Sequence, residues 1–157
     1  MLHSWLVGIY LNHDQFDQND TSFDQVNLDS RKIVLYEPVG DKTDQSSADD
    51  GTCGHGTHVA AILAGSSLTG KESLGIAYSA KISFMDIARE LDDCSTKNNG
   101  KCTRKVDMLM PGSVKQLLEG QVKAGAKIVS FSWGSVQSDY DEVSLIAPLL
   151  RTISANT

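Results

Sequence analysis

With 157 residues and a formal net charge of −6, from 14 Lys and Arg against 20 Asp and Glu, the chain has room for one ordinary domain. Forty per cent hydrophobic and 22% charged residues exclude collagen-like, coiled-coil and wholly disordered chains. The acidic balance gives a nucleic-acid surface no support, and three cysteines neither make a disulfide-dense scaffold nor fit a zinc module.

The opening MLHSWLVGIYL is apolar, without a basic leader, and His3 and Ser4 interrupt it before the polar NHDQFDQND. It reads as a buried strand rather than a signal peptide or a membrane span. Residues 12–30, rich in Asp, Asn and Gln, read as surface loop, and Asn19-Asp20-Thr21 is a glycosylation acceptor in form only. Residues 32–39 (KIVLYEPV) predict a strand, and 40–54 a polar connection with turn chemistry at Asp49-Asp50-Gly51. A helix is expected over 55–64, capped by Gly65, and a buried strand over 81–87. Cys94 and Cys102 flank a polar loop, CSTKNNGKC. They can pair in an oxidising compartment, leaving Cys53 over, and stay thiols in a reducing one.

Residues 113–124 carry a helical stripe of Val114, Leu117, Leu118 and Val122, with Gly125 as stop. A strand over 127–133 and an amphipathic helix over 140–154 complete the chain. Strands alternating with helices argue for an α/β fold with a mainly parallel sheet, right-handed crossovers and flanking helices. Function in such sheets collects at the carboxyl ends of the strands.

The densest chemistry lies in GTCGHGTHVAAILAG, residues 51–65. His55 and His58 share a helix face, as a metal pair would, but no third ligand follows at the usual spacing. Cys53 beside His55 suggests a thiol–imidazole pair, although two residues apart across a turn they need not face each other. A third reading makes His55 a general base at the first turn of a closely packed helix.

HGTHVAAILAG resembles the histidine motif of the subtilisin-like serine peptidases, the subtilases. By that resemblance His55 is the catalytic base and His58 the motif's second, structural histidine. Gly56 and Thr57 fill its small positions, and Ala61 replaces its usual glycine. Residues 74–82 (LGIAYSAKI) resemble the family's GvAPgAkl approach to the next core strand. Residues 125–134 (GAKIVSFSWG) resemble its strand ending in Ser-x-Gly, which lines the substrate cleft. The wording RKIVLYEP, HGTH, AKISFMDI and FSWGS is similar to larger subtilases of microbes and protists with a loop insertion before the histidine motif.

The resemblance spans residues 7–157 and leaves 1–6 as an atypical amino terminus. It implies a partial subtilisin-like three-layer fold and serine-type endopeptidase activity, with Ser132, Trp133 and Gly134 holding a polypeptide substrate. It also implies a secreted or secretory-pathway location, which suits a Cys94–Cys102 bridge. Many subtilases bind calcium at loops, but no ligands can be named here, and no other cofactor or metal is implied.

Peptide cleavage by this route needs a serine nucleophile, an aspartate to orient the imidazole, and oxyanion donors. With Gly8 on the glycine of the family's Asp-Thr/Ser-Gly, Leu6 falls where the aspartate belongs and Val7 on the hydroxyl position. Asp14, Asp49 and Asp50 read as solvated loop charges rather than substitutes. Ser135, Ser138, Ser144 and Ser154 stand in no Gly-Thr-Ser-x-Ala, and Asn156 lacks the Gly-Asn context of the oxyanion donor. The expectation is an incomplete peptidase chain, inactive alone. The alternative is a pseudo-peptidase that binds extended peptides or a partner protein through the backbone of 132–134. Trp133, Val129 and Phe131 then double as core residues of the sheet.

Overall fold

Apolar residues run almost unbroken through KIVLYEPV and KISFMDI because both strands are covered on both faces. The structure, a computed structural model, describes residues 2–6, 8–16, 25–39, 54–70, 74–98, 101–109 and 111–132. In chain order its elements are β1 (Leu2–Leu6), β2 (Ile33–Pro38), α1 (His55–Ala64), β3 (Ile82–Asp86), β4 (Ala88–Asn98), β5 (Lys101–Met108), α2 (Val114–Lys123) and β6 (Ile128–Phe131). The helix expected over 140–154, the turn at Asp49-Asp50-Gly51 and Asn19-Asp20-Thr21 lie outside the described residues.

Four strands form one parallel sheet in the order β2-β3-β1-β6. The opening segment is thus a central strand, in register with β3 from Leu2↔Ile82 to Leu6↔Asp86 and with β6 from Leu2↔Ile128 to Trp5↔Phe131. Successive strand residues face opposite sides, so β3 feeds two cores. Ile82 and Phe84 pack with Ala60 and Ala64 of α1, with Ile9, Leu11 and Phe16 beside them. Met85 and Ile87 pack with Leu117 and Leu118 of α2, where Val129 and Phe131 join them. The helices therefore cover opposite faces, and the fold is α/β in three layers.

A bulge sets the faces of β2. Ile33 pairs with Ile82 and Leu35 with Ser83, two steps on β2 for one on β3. The extra residue lets Ile33 and Tyr36, three apart, both join the α1 core. There Tyr36 stacks on Phe84, with centroids 5.6 Å apart and planes 10° from parallel. Its hydroxyl donates to Asp86 Oδ2 at 2.6 Å, so the buried carboxylate has a partner.

Helix α2 begins as the sequence predicts, with the Ser113 hydroxyl accepting from Gln116 N–H at 3.2 Å. It differs in its stripe. Val122 is 51% exposed, while Gln121 is 1% exposed. Val122 lies about 100° round the helix from Gln121. The inward Gln121 accepts from Ser83 Oγ and donates to Glu37 Oε2 at 3.0 Å, tying α2 to β3 and β2. A polar residue replaces an apolar one there because buried Ser83 and half-buried Glu37 both need its amide.

The expected polar loop over 94–102 is instead the far end of an antiparallel hairpin, β4 with β5. No apolar alternation marks it, since a two-stranded ribbon need bury no face. Its base is closed by Leu109 N–H donating to Ile87 O at 2.7 Å.

Lys32 is 3% exposed and donates through Nζ to the carbonyls of Tyr78 and Ala80. Burial, reinforced by the adjacent Arg31 charge, lowers its pKa from 10.5 to about 8. Below about 8 the amine is charged in folded and unfolded chains alike, and the full desolvation cost is present. Between about 8 and 10.5 the unfolded chain binds more protons, so stability rises with pH. Urea unfolding of wild type and Lys32→Met across that window should show wild type gaining stability with pH relative to the variant; parallel profiles would contradict it.

Candidate active site

Helix α1 presents small residues inward: Gly56, Thr57, Ala60 and Ala64 are buried. Small side chains let its backbone lie close to the sheet, and both ends are then fixed by hydrogen bonds. At the amino end Gly54 is left-handed (φ 75), a conformation that favours glycine, and its carbonyl accepts from His58 N–H at 2.8 Å. Thr57 Oγ1 accepts from Tyr10 N–H at 2.8 Å, joining the first turn of α1 to the chain leaving β1.

The other end is held by the segment that resembles GvAPgAkl. Gly75, Ile76 and Ala77 N–H donate to the carbonyls of Gly65, Ile62 and Leu63 at 2.9, 2.9 and 2.8 Å. These satisfy acceptors that a helix end leaves free. A Cβ on Gly75 would lie 2.5 Å from Ala61 O and 2.6 Å from Gly65 N, so only glycine fits that approach. Gly65 caps the helix as the sequence predicts, in an extended conformation (φ −58, ψ 146) with its N–H donating to Ala61 O at 2.8 Å.

His55 therefore stands at the carboxyl edge of the sheet, exposed, on the first turn of α1. Leu6 ends β1 at the same edge. The β1–β6 register pairs Trp5 with Phe131, and one further step sets Ser132 level with Leu6. Chain direction changes here, since β2 and β3 lie on one side of β1 and β6 on the other, which is where open α/β sheets form their binding crevice. Val129 and Phe131 face the α2 core, as expected, and alternation turns Ser130 and Ser132 to the face that carries α1. The Ser130 and Ser132 hydroxyls are 3.5 Å apart, and either can donate. Trp133, Gly134 and Cys53 lie outside the described residues.

Asp14 lies elsewhere. Its carboxylate accepts from Ser67 Oγ and from Thr69 Oγ1, just past the carboxyl end of α1. That end is about 14 Å along the axis from His55. Among the described residues, no three His, Cys, Asp or Glu come together as a metal site. None of the helices described is long and apolar enough to cross a membrane.

The model of the subtilase family matches residues 8–155. The chain belongs to the subtilase family. No curated protein and no solved structure matches it. As a subtilase it is a serine-peptidase relative at family level, and peptidase families act on polypeptides.

Sequence reasoning missed the Tyr10–Thr57 bond, because Thr57 looked like a small filler of the subtilase motif. It also missed Arg31, which donates through Nε to Phe16 O at 2.8 Å and through Nη2 to Ser66 O at 2.8 Å, pinning the loop after β1 to the end of α1. A threonine at the first turn of a helix, beside a chain exit that needs an acceptor, was the available signal. Thr57→Val should cost about 1–3 kcal/mol in urea unfolding, because Tyr10 N–H loses its acceptor. Thr57→Ser should stay close to wild type; equal loss in both variants would refute the bond's role.

Proposed function

We propose that residues 7–157 form a subtilisin-like peptidase domain in which His55 is the general base and Ser132, Trp133 and Gly134 line the cleft for an extended polypeptide. Leu2–Leu6 supply strand β1 to it, while residues 1–6 depart from the family's sequence pattern. The observation that carries this reading is the arrival of His55, the end of β1 and Ser132 at one edge of the sheet. Imidazole is the side chain suited to proton transfer at neutral pH.

The remaining chemistry is not carried by these residues. Leucine at position 6 cannot accept the imidazole N–H, and the sequence contains no Gly-Thr-Ser-x-Ala to supply the nucleophile. The 157 residues are therefore expected not to hydrolyse peptides, and a serine would have to come from polypeptide outside them. A second reading, a non-catalytic module that binds an extended peptide or a partner protein, draws support from β6. That strand pairs with β1 on one side and is the last in the sheet order among the described residues. An added strand on its other side is the strand-addition mode of recognition.

A fluorophosphonate probe and a fluorogenic peptide, tested on the purified chain, should give no serine adduct and no turnover. An adduct, or turnover abolished by His55→Ala, would overturn the expectation of inactivity. Saturable shifts of the Ile128–Phe131 amides on adding an extended peptide, without turnover, would support the peptide binding that both readings require; their absence would overturn the second.

A further inference from the structure

Alternation along β2 and its exit turns Leu35, Glu37 and Val39 to the face that carries α2. Opposite them, Gln116, Glu119, Gly120 and Lys123 follow one another at three- and four-residue steps, a single stripe of the helix. Between strand and helix lies a cavity of about 640 Å³, with Met85 of β3 and Leu109, from the chain leaving β5, also in its walls. Small-molecule sites usually measure roughly 300–1,000 Å³. His55 stands on α1, which covers the opposite face of the sheet, so this cavity is separate from the proposed peptidase site.

Glu37 is the carboxylate set into the apolar wall. It is half-buried, beside Leu35 and Val39 on the same face. Gly120 faces it from α2. Glycine in a helix interior is less stable than alanine, so its presence there needs a reason. A Cβ at position 120 would lie 3.1 Å from Glu37 Cδ and 3.2 Å from Leu35 Cδ2, and would collide with Glu37 Oε2. The missing side chain keeps the carboxylate against the helix, where Gln121 Nε2 donates to Oε2 at 3.0 Å. At the exposed rim, Glu119 and Lys123 form an ion pair at 3.0 Å. Among the described residues, the lining thus carries two carboxylates against one ammonium.

We propose that this cavity binds a small amphiphilic cation, a primary ammonium on an apolar chain. The ammonium donates to the Glu37 carboxylate, a charge-assisted hydrogen bond that fixes its orientation. The apolar chain lies against Leu35, Val39, Met85 and Leu109, and its removal from water supplies the driving force. A neutral ligand of the same shape gains only the second contribution, and an anion meets a lining of its own sign.

The test titrates the full chain with 4-phenylbutylammonium and, in parallel, with 4-phenylbutan-1-ol and 4-phenylbutyrate, following backbone amide shifts. The expected result is saturable movement of the Glu37, Val39, Met85 and Gln116–Gly120 amides. The ammonium should bind about tenfold or more tighter than the alcohol, with the carboxylate weakest. Glu37→Gln keeps an oxygen for Gln121 and should lower the ammonium to the alcohol's affinity while leaving the alcohol unchanged. Gly120→Ala should displace the carboxylate and reduce the same preference, whereas Glu119→Gln at the rim should retain it. No saturable shift at these amides, equal affinity of ammonium and alcohol for the wild type, or a preference that survives Glu37→Gln would overturn the proposal.

Discussion

Everything proposed for this subtilase depends on where α1 is held, because His55 has no position apart from the first turn of that helix. Two sets of backbone hydrogen bonds hold it. Tyr10 N–H reaches Thr57 at one end, and three successive amides, Gly75 to Ala77, reach carbonyls of its last turn and of Gly65 at the other. The second set exists because Gly75 has no side chain where a Cβ would meet Ala61 O. Four donors satisfied together resist the helix sliding along the sheet, and the cost of losing an acceptor is greatest at Gly75, which is buried. The inward small residues do the rest, since packing at short range leaves few alternative positions.

The sheet supplies the second constraint. Placing β1 between β3 and β6 makes its carboxyl end the point where the chain's direction of travel changes, and the register carries Ser132 to that point beside Leu6. The proposed site thus draws on segments far apart in sequence, brought together by strand pairing and by the anchoring of α1. Leu6 is the anomaly. On the proposed reading it occupies the strand end where an orienting carboxylate would be needed, and its neighbour in register, Asp86, is engaged by Tyr36. The proposed site therefore has a chemically silent residue at its edge.

Periodic, buried elements were legible in the sequence. The α1 helix starts and stops where HGTHVAAILA predicts, α2 begins at its Ser113 cap, and the strands at 33–38 and 82–86 lie inside the predicted runs. The opening strand was legible as apolar, but nothing local showed that it would be central, because strand order is set by pairing partners elsewhere. The β4–β5 hairpin was not legible, since a ribbon stabilised by its own ladder leaves no hydrophobic period. Gln121 and Val122 exchanged roles because a periodicity count treats a glutamine as outward, whereas Ser83 and Glu37 require an amide between them. The motif singled out His55 as the candidate base, while Thr57 and Gly75, which hold α1 in place, read as spacers.

The most direct measurement of this account is residue-resolved hydrogen–deuterium exchange at Tyr10, Gly75, Ile76 and Ala77. If these bonds fix α1 on the sheet, all four amides exchange as slowly as those of β3, because they open only when helix and sheet separate. Exchange of the four at the rate of an unstructured peptide, with β3 and the interior of α1 still protected, would contradict it.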